Sequence, residues 1–418
     1  MSPHSQAVKT SICFVSWQLG LGVLRRLVRK PSSCISACVW ISCAWIGFAA
    51  GEEVRAESAD LSRCKTQLSV EKSLLIRDLS VVESDLAQPG GVLHFASVLN
   101  RVYPGLSRSD RFSQWIESWF SQFSKSDRSD AFFVKRRPER ILQFWQRDSS
   151  GSFDPSQSPF RLLAVVVRTD LISNEAPEGE LRFVYSATDP WSSAGVEFLV
   201  ILEFAFEGSR QVWSRAFREL SCLPFGEDFN RNLRAQVTAP GLRFLRLRSN
   251  DFMMGRDWEL REFRMNPNGD LALSPVAQTP RFEFTHSEHR ELLDWARANE
   301  FELQQETATL PAHLTGFTAP VPHESFSWLR GAELKESTRA ALSKMTCNGC
   351  HAADTATVFT HIFPRGLGQR ARISAFLSED LVYRARIMDL WSQSLPVPVH
   401  QAVKRDSRLK VLRSGRVH

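Results

Sequence analysis

The chain of 418 residues has almost no net charge over most of its length. Residues 1–50 hold Lys9, Arg25, Arg26, Arg29 and Lys30 and no acidic residue. Of 52 Lys and Arg and 46 Asp and Glu in all, 47 basic side chains therefore face 46 acidic ones in residues 51–418. A body this neutral lacks the electrostatic footprint of a nucleic-acid binder. The sequence also lacks a Gly-rich loop following a strand, which excludes dinucleotide and P-loop phosphate sites. It lacks a repeat with a period of 20–50 residues, which excludes solenoids and propellers. With 43% hydrophobic and 23% charged residues, it is neither disordered throughout, nor collagenous, nor a many-span membrane protein. No nucleophile–base pairing is visible. Asp170, Glu180 and Glu262 are candidate acids, but surface or ion-pair roles are the plainer reading, so no catalytic residue is assigned.

The first fifty residues read as an export signal. A basic cluster, 25–30, precedes an apolar run, 35–50, and small residues offer cleavage after Ala49 or Ala56. Segment 1–56 is thus expected to be a signal peptide, with a retained membrane anchor as the alternative. This places the protein outside the cytoplasm, in the periplasm, the cell envelope or the medium, touching a membrane only if 1–56 stays attached. Cleavage removes Cys13, Cys34, Cys38 and Cys43 and leaves Cys64, Cys222, Cys347 and Cys350. In an oxidising compartment Cys64 and Cys222 form a candidate long-range disulfide, the alternative being two unpaired buried thiols.

Length suits two or three domains. Residues 57–147 read as a helical region. Within it Phe112, Trp115, Ile116, Trp119, Phe120 and Phe123 recur at spacings of three and four, with Ser109 or Asp110 as cap. The opposite face has little positive charge, so this stripe faces a core and not a membrane. Residues 148–325 read as a strand-rich domain that opens on a polar linker, 148–158, and ends in a Pro-rich linker, 303–325. Strands are expected at 162–167, 181–185, 198–206, 242–247, 258–264 and 271–276, and helices at 212–220 and 292–298. Segment 242–247 alternates apolar residues with arginines, as a half-exposed strand does. Asn266-Pro267-Asn268-Gly269-Asp270 is a hairpin turn. The order implies an α+β fold with mostly antiparallel strands. Residues 326–418 read as a separate small helical unit.

One motif carries chemistry. Cys347-Asn348-Gly349-Cys350-His351 has the C-x-x-C-H spacing of c-type haem attachment. Thiols at i and i+3 reach the two vinyl groups of one porphyrin, and the next imidazole becomes the proximal iron ligand. A helix expected at 333–345 leads into it, an arrangement that resembles the class I cytochrome c domain. His361 is the preferred distal ligand, Met388 the weaker alternative, and an open five-coordinate iron the third. Arg365 is a candidate partner for a haem propionate. Two competing readings of the motif are a Cys347–Cys350 disulfide and a zinc site built from Cys347, Cys350, His351 and His361.

Several short segments carry a likeness. Thr346-Cys347-Asn348-Gly349-Cys350-His351, Asp354-Thr355, Phe359, His361 and Pro364-Arg365 lie downstream; Arg248-Ser249-Asn250 and Trp258-Glu259-Leu260-Arg261-Glu262-Phe263 lie upstream. Together they resemble a family of uncharacterised exported myxobacterial proteins with a C-terminal cytochrome c-like CxxCH motif. The resemblance spans about 162–377 and implies that the strand-rich region and the haem-like tail travel together. The expectation is an exported single-haem c-type cytochrome-like protein for electron transfer or redox chemistry, with an unidentified redox partner protein. The alternative is a non-enzymatic envelope or extracellular binding module whose cysteines form a staple or a metal site.

Overall fold

Long strands with apolar residues on one face and mixed residues on the other dominate the middle of the chain, and they pair in sequence order. The computed structural model describes residues 68–395 apart from 104–107, 121–122, 125–132, 135–142, 144, 172, 174, 253–257, 282–285, 306 and 330–332. The segment 1–56, its export reading and Cys64 lie outside the described residues. In chain order the first elements are α1 (Val70–Ser73), β1 (Leu75–Ile76), α2 (Leu79–Val82), α3 (Phe95–Val102) and α4 (Arg108–Phe120). Next come β2 (Phe123–Ser124), β3 (Phe133–Val134), β4 (Phe160–Arg168), β5 (Glu180–Thr188), β6 (Gly195–Phe206), α5 (Arg210–Leu220) and α6 (Glu227–Thr238). Then follow β7 (Leu242–Asp251), β8 (Trp258–Met265), β9 (Leu271–Ser274), α7 (His286–Ala298), α8 (Glu300–Gln304) and β10 (Thr318–Val321). The chain ends in α9 (Glu336–Met345), α10 (Cys347–Cys350) and α11 (Ala375–Ser392).

The fold is α+β. An antiparallel sheet of eight strands runs β1-β4-β5-β6-β7-β8-β10, with β9 paired to β8. Its apolar face carries Phe183, Tyr185, Phe198, Phe204 and Phe263, all buried in the main core. Helices α3 and α4 cover it. Phe95 meets Tyr185 edge-on at 5.2 Å, Trp115 meets Phe263 at 5.6 Å, and Trp119 meets Phe198 at 4.9 Å. The helical spacing of aromatics at 112–120 thus faces a core, as the periodicity implies; Phe123 belongs to the short strand β2 instead, and the helix already includes Ser109 and Asp110. Trp119 is fully buried, and its indole N–H donates to Ser249 Oγ. Trp119→Ala is expected to cost about 3–5 kcal/mol of stability, read by urea unfolding.

Four expectations meet a different arrangement. Segment 148–158 is no open linker: Phe153 is buried, bridges to Arg147, and packs on Trp145 at 5.3 Å. Segment 303–325 contains β10, which pairs with β8 at the sheet edge, where Pro320 is tolerated because its missing N–H faces no partner. Leu303, Leu310 and Leu314 in that stretch are buried with α7 and α9 in a second cluster. Strand β7 is exposed only at its start, at Arg243, whereas Arg246 and Arg248 are buried. Finally, residues 326–418 are not set apart. All described residues belong to one compact unit, Arg55–His418, and Leu377, Leu381 and Met388 share the sheet's core. A cytochrome c-like unit standing alone at the C-terminus is therefore not what the fold displays. Helix α6 was not legible at all.

Among the described residues no helix is long and apolar enough to cross a membrane.

Candidate functional site

The CxxCH segment is held by its own backbone. Thr346 is extended (φ −90°, ψ 147°), which ends α9 and starts α10. Its Oγ1 accepts from Gly349 N–H at 3.0 Å as an N-cap. Gly349 is dictated by space, because a Cβ there would collide with the Ser343 carbonyl. Asn348 Oδ1 accepts from Trp328 Nε1 at 2.8 Å, and Cys347 N–H donates to Thr279 Oγ1 at 3.0 Å. The turn is thus pinned from both sides.

Cys347 and Cys350 are fully buried and are not joined in a disulfide. Burial pushes the Cys347 thiol above its ordinary pKa, with Arg248 pulling the other way. His351 stacks on Trp258 at 4.4 Å and 21°. Its Nδ1 lies 2.6 Å from the Phe359 carbonyl, so Nδ1 carries the proton and the lone pair sits on Nε2. Burial pushes the His351 pKa down to about 4, leaving a neutral imidazole. The loop that follows turns sharply. Ala356 and Phe359 take left-handed φ values of 50° and 61°, and Phe359 stacks on Phe252 at 4.2 Å. This return brings His361 back to His351, with ring centres 4.3 Å apart. His361 Nδ1 is 2.8 Å from Ser374 Oγ, and its Nε2 is 3.4 Å from Cys350 Sγ.

Both imidazoles line one cavity of about 90 Å³ between the sheet and the C-terminal segment. One buried water needs about 10–15 Å³, so this is larger than a water site. Val184, Leu199, Ile201, Ile362, Phe376 and Leu377 make its apolar walls. Arg182, Glu203, Arg248 and Arg384 also border it. Met388 and Arg365 do not. Met388 is a buried core methionine. Arg365 is buried elsewhere, bonded to Glu83 and to the Leu162 carbonyl, where it ties the C-terminal loop to β4.

The same face of the sheet carries a buried ion ladder. Arg246 pairs with Glu180 and Glu203, each at 2.6 Å. Arg248 pairs with Glu262 at 3.0 Å, and Arg168 holds Asp170 through two bonds of 2.9 Å. The three candidate acids Asp170, Glu180 and Glu262 are all ion-pair members. Burial alone would raise Glu180 and Glu262, yet the neighbouring arginines hold both below the usual carboxylate range.

No family model, curated protein or solved structure matches this chain. Its own sequence segments nevertheless converge. Arg248 and Asn250 lie two residues apart on one strand face and both reach the cavity, as does Leu260, while Trp258 supports His351. Sequence reasoning left these residues without a role, although the i, i+2 spacing of Arg248 and Asn250 already put them on one face.

The donor types are those of a c-type haem site, two cysteines at the attachment spacing and two imidazoles, but the cavity of about 90 Å³ beside them is far smaller than a porphyrin, and Glu203 borders it as well as arginines. The imidazole rings are closer than the spacing of about 6 Å that two metal–nitrogen bonds of about 2 Å impose, so holding iron requires them to part by side-chain rotation. Cys222 is disulfide-bonded, and its expected partner Cys64 is not among the described residues. Among those residues no three His, Cys, Asp or Glu side chains converge as metal ligands.

Proposed function

We propose that the protein is an exported, single-haem c-type electron carrier, with Cys347 and Cys350 as the covalent anchors. The observation that carries this reading is the pairing of His351 and His361 at one cavity beside Cys350 of the attachment motif. Each ring has its Nδ1 held by a protein oxygen, Phe359 O or Ser374 Oγ, which directs Nε2 inward. Outer partners of this kind orient ligating histidines and fix their tautomer. Haem bound there supplies one-electron redox chemistry. His351 and His361 would both hold the iron, and the group would then supply electron transfer in preference to binding and activating a substrate. The sheet walls exclude water, and the buried ion ladder holds those walls in register. The partner is a redox protein outside the cytoplasm, and the site is placed there by the export reading of residues 1–56.

The alternative, a binding module with a zinc site or a Cys347–Cys350 staple, has less support, because no three-ligand cluster converges among the described residues.

The test is ligation. The protein is matured in a host with a cytochrome c maturation system. The wild type is expected to give a low-spin spectrum that carbon monoxide does not change. His361→Ala is expected to keep its haem, turn high-spin, and bind carbon monoxide. A wild type that binds carbon monoxide as readily as His361→Ala would remove His361 from the iron.

A further inference from the structure

The sheet has two unlike faces. One carries aromatic side chains packed under α3 and α4. The other carries the ion ladder and the cavity, and the C-terminal segment with α11 lies over it. Three buried polar atoms border that cavity without a hydrogen-bond partner among the described residues: Glu203 Oε1 and Asn250 Oδ1 on the sheet, and Thr360 Oγ1 on the segment that covers it. A buried polar group left unsatisfied is destabilising, and water would satisfy all three. The seam between sheet and segment is therefore poorly matched.

Charge does not hold the seam shut. The ladder pairs lie within the sheet, Arg246 with Glu180 and Glu203, and Arg248 with Glu262. Arg384 of α11 bonds Asp380 of the same helix, its Nε at 2.7 Å, and reaches Asp170 only at 3.9 Å. Moving α11 off the sheet thus strands no charge, which is the costly event in a buried layer. The contacts given up are the apolar packing of Leu377 and Leu381, the Ser374 bond to His361 and the partly exposed Arg218–Asp389 pair. Lifting α3 and α4 off the opposite face would instead expose Phe95, Trp115 and Trp119.

We propose that α11 undocks locally from a sheet that stays folded, and that this opening admits the flat ligand which the closed cavity of about 90 Å³ does not hold. That the ligand is a porphyrin rests on the haem reading; the opening itself does not. Withdrawing Ser374 frees His361 to turn away from His351 and uncovers Cys350, whose Sγ lies 3.4 Å from His361 Nε2. Cys347 stays packed with Trp258, Val276 and Val321.

The haem-free full chain tests this. Amide hydrogen exchange is followed by mass spectrometry at rising urea below the unfolding transition, with alkylation of Cys347 and Cys350 by iodoacetamide in parallel. Peptides of α11 are expected to exchange about tenfold or more ahead of those of β5, β6 and β7, and with weaker urea dependence, because a local opening exposes less surface. Cys350 is expected to be alkylated in step with α11 and before Cys347. Thr360→Val removes an unsatisfied hydroxyl from the closed seam at nearly constant shape, and is expected to slow both processes about fivefold. Exchange of α11 and alkylation of Cys350 that follow the sheet, with the same urea dependence, overturn the proposal. Haem uptake is read separately on matured protein. An α11 that opens in a chain taking up no haem keeps the opening and removes the porphyrin, whereas attached haem with no opening of α11 keeps the haem reading and overturns the opening.

Discussion

Arg246→Met is expected to destabilise the protein by about 3–5 kcal/mol, the largest loss of any single ionic substitution in the sheet. Arg246 is buried and bonds Glu180 and Glu203 at 2.6 Å each, with Glu262 at 4.0 Å. Removing it leaves two carboxylates without their main counter-charge in a low-dielectric layer. Replacing the whole ladder by packed apolar residues would cost far less, because the penalty comes from orphaned charge and not from the lost attraction. The pH profile carries the same signature. Glu180 and Glu262 have folded pKa values below those of the unfolded chain. Their stabilisation is therefore fully present above the unfolded value of about 4.3 and is lost as pH falls below it toward the folded value. His351 stays neutral to about pH 4 in the folded protein against an unfolded value of about 6.5, so wild-type stability should be level only above about pH 7, decline from about pH 6.5, and fall more steeply below about pH 4 as the two carboxylates also protonate. In Arg246→Met that acid-side slope should flatten. Urea titrations at a series of pH values measure both effects.

The second large effect is chemical. Cys347→Ala/Cys350→Ala is expected to abolish covalent haem while leaving the fold intact. Cys347 is a small, fully buried apolar filler packed with Trp258, Val276 and Val321, and Cys350 is fully buried beside His361. Their loss removes one sulfur each, whereas Thr346, Gly349 and Asn348 keep the backbone of the turn in place. Circular dichroism should therefore change little, while haem absorbance after denaturing extraction drops to background. A double variant that unfolds would instead mark the cysteines as structural fillers, and the single variants would then be needed to read attachment one thioether at a time.

What was legible in the sequence had local causes. The aromatic spacing at 112–120 gave a core-facing helix because helical periodicity acts within a few residues. The CxxCH spacing and the nearness of His361 were legible for the same reason. The hairpin at 266–270 was too, since Asn266 and Gly269 set that turn alone. What was missed depended on partners far along the chain. Arg246 reads as a solvent-facing residue of an alternating strand, and only Glu203 and Glu180, 43 and 66 residues before it, make its burial tolerable. Pro320 reads as a linker residue until β8 provides an edge to join. Met388 and Arg365, both candidates near haem, were drawn elsewhere by the core and by Glu83.

The most direct test of the account is the haem itself. The wild-type protein, produced with a cytochrome c maturation system, is denatured, extracted with acidified acetone, and examined as its pyridine haemochrome with intact mass in parallel. The account predicts one haem per chain that stays with the polypeptide through extraction and adds the mass of a single haem. A colourless polypeptide of unmodified mass, or haem that leaves with the solvent, would contradict it.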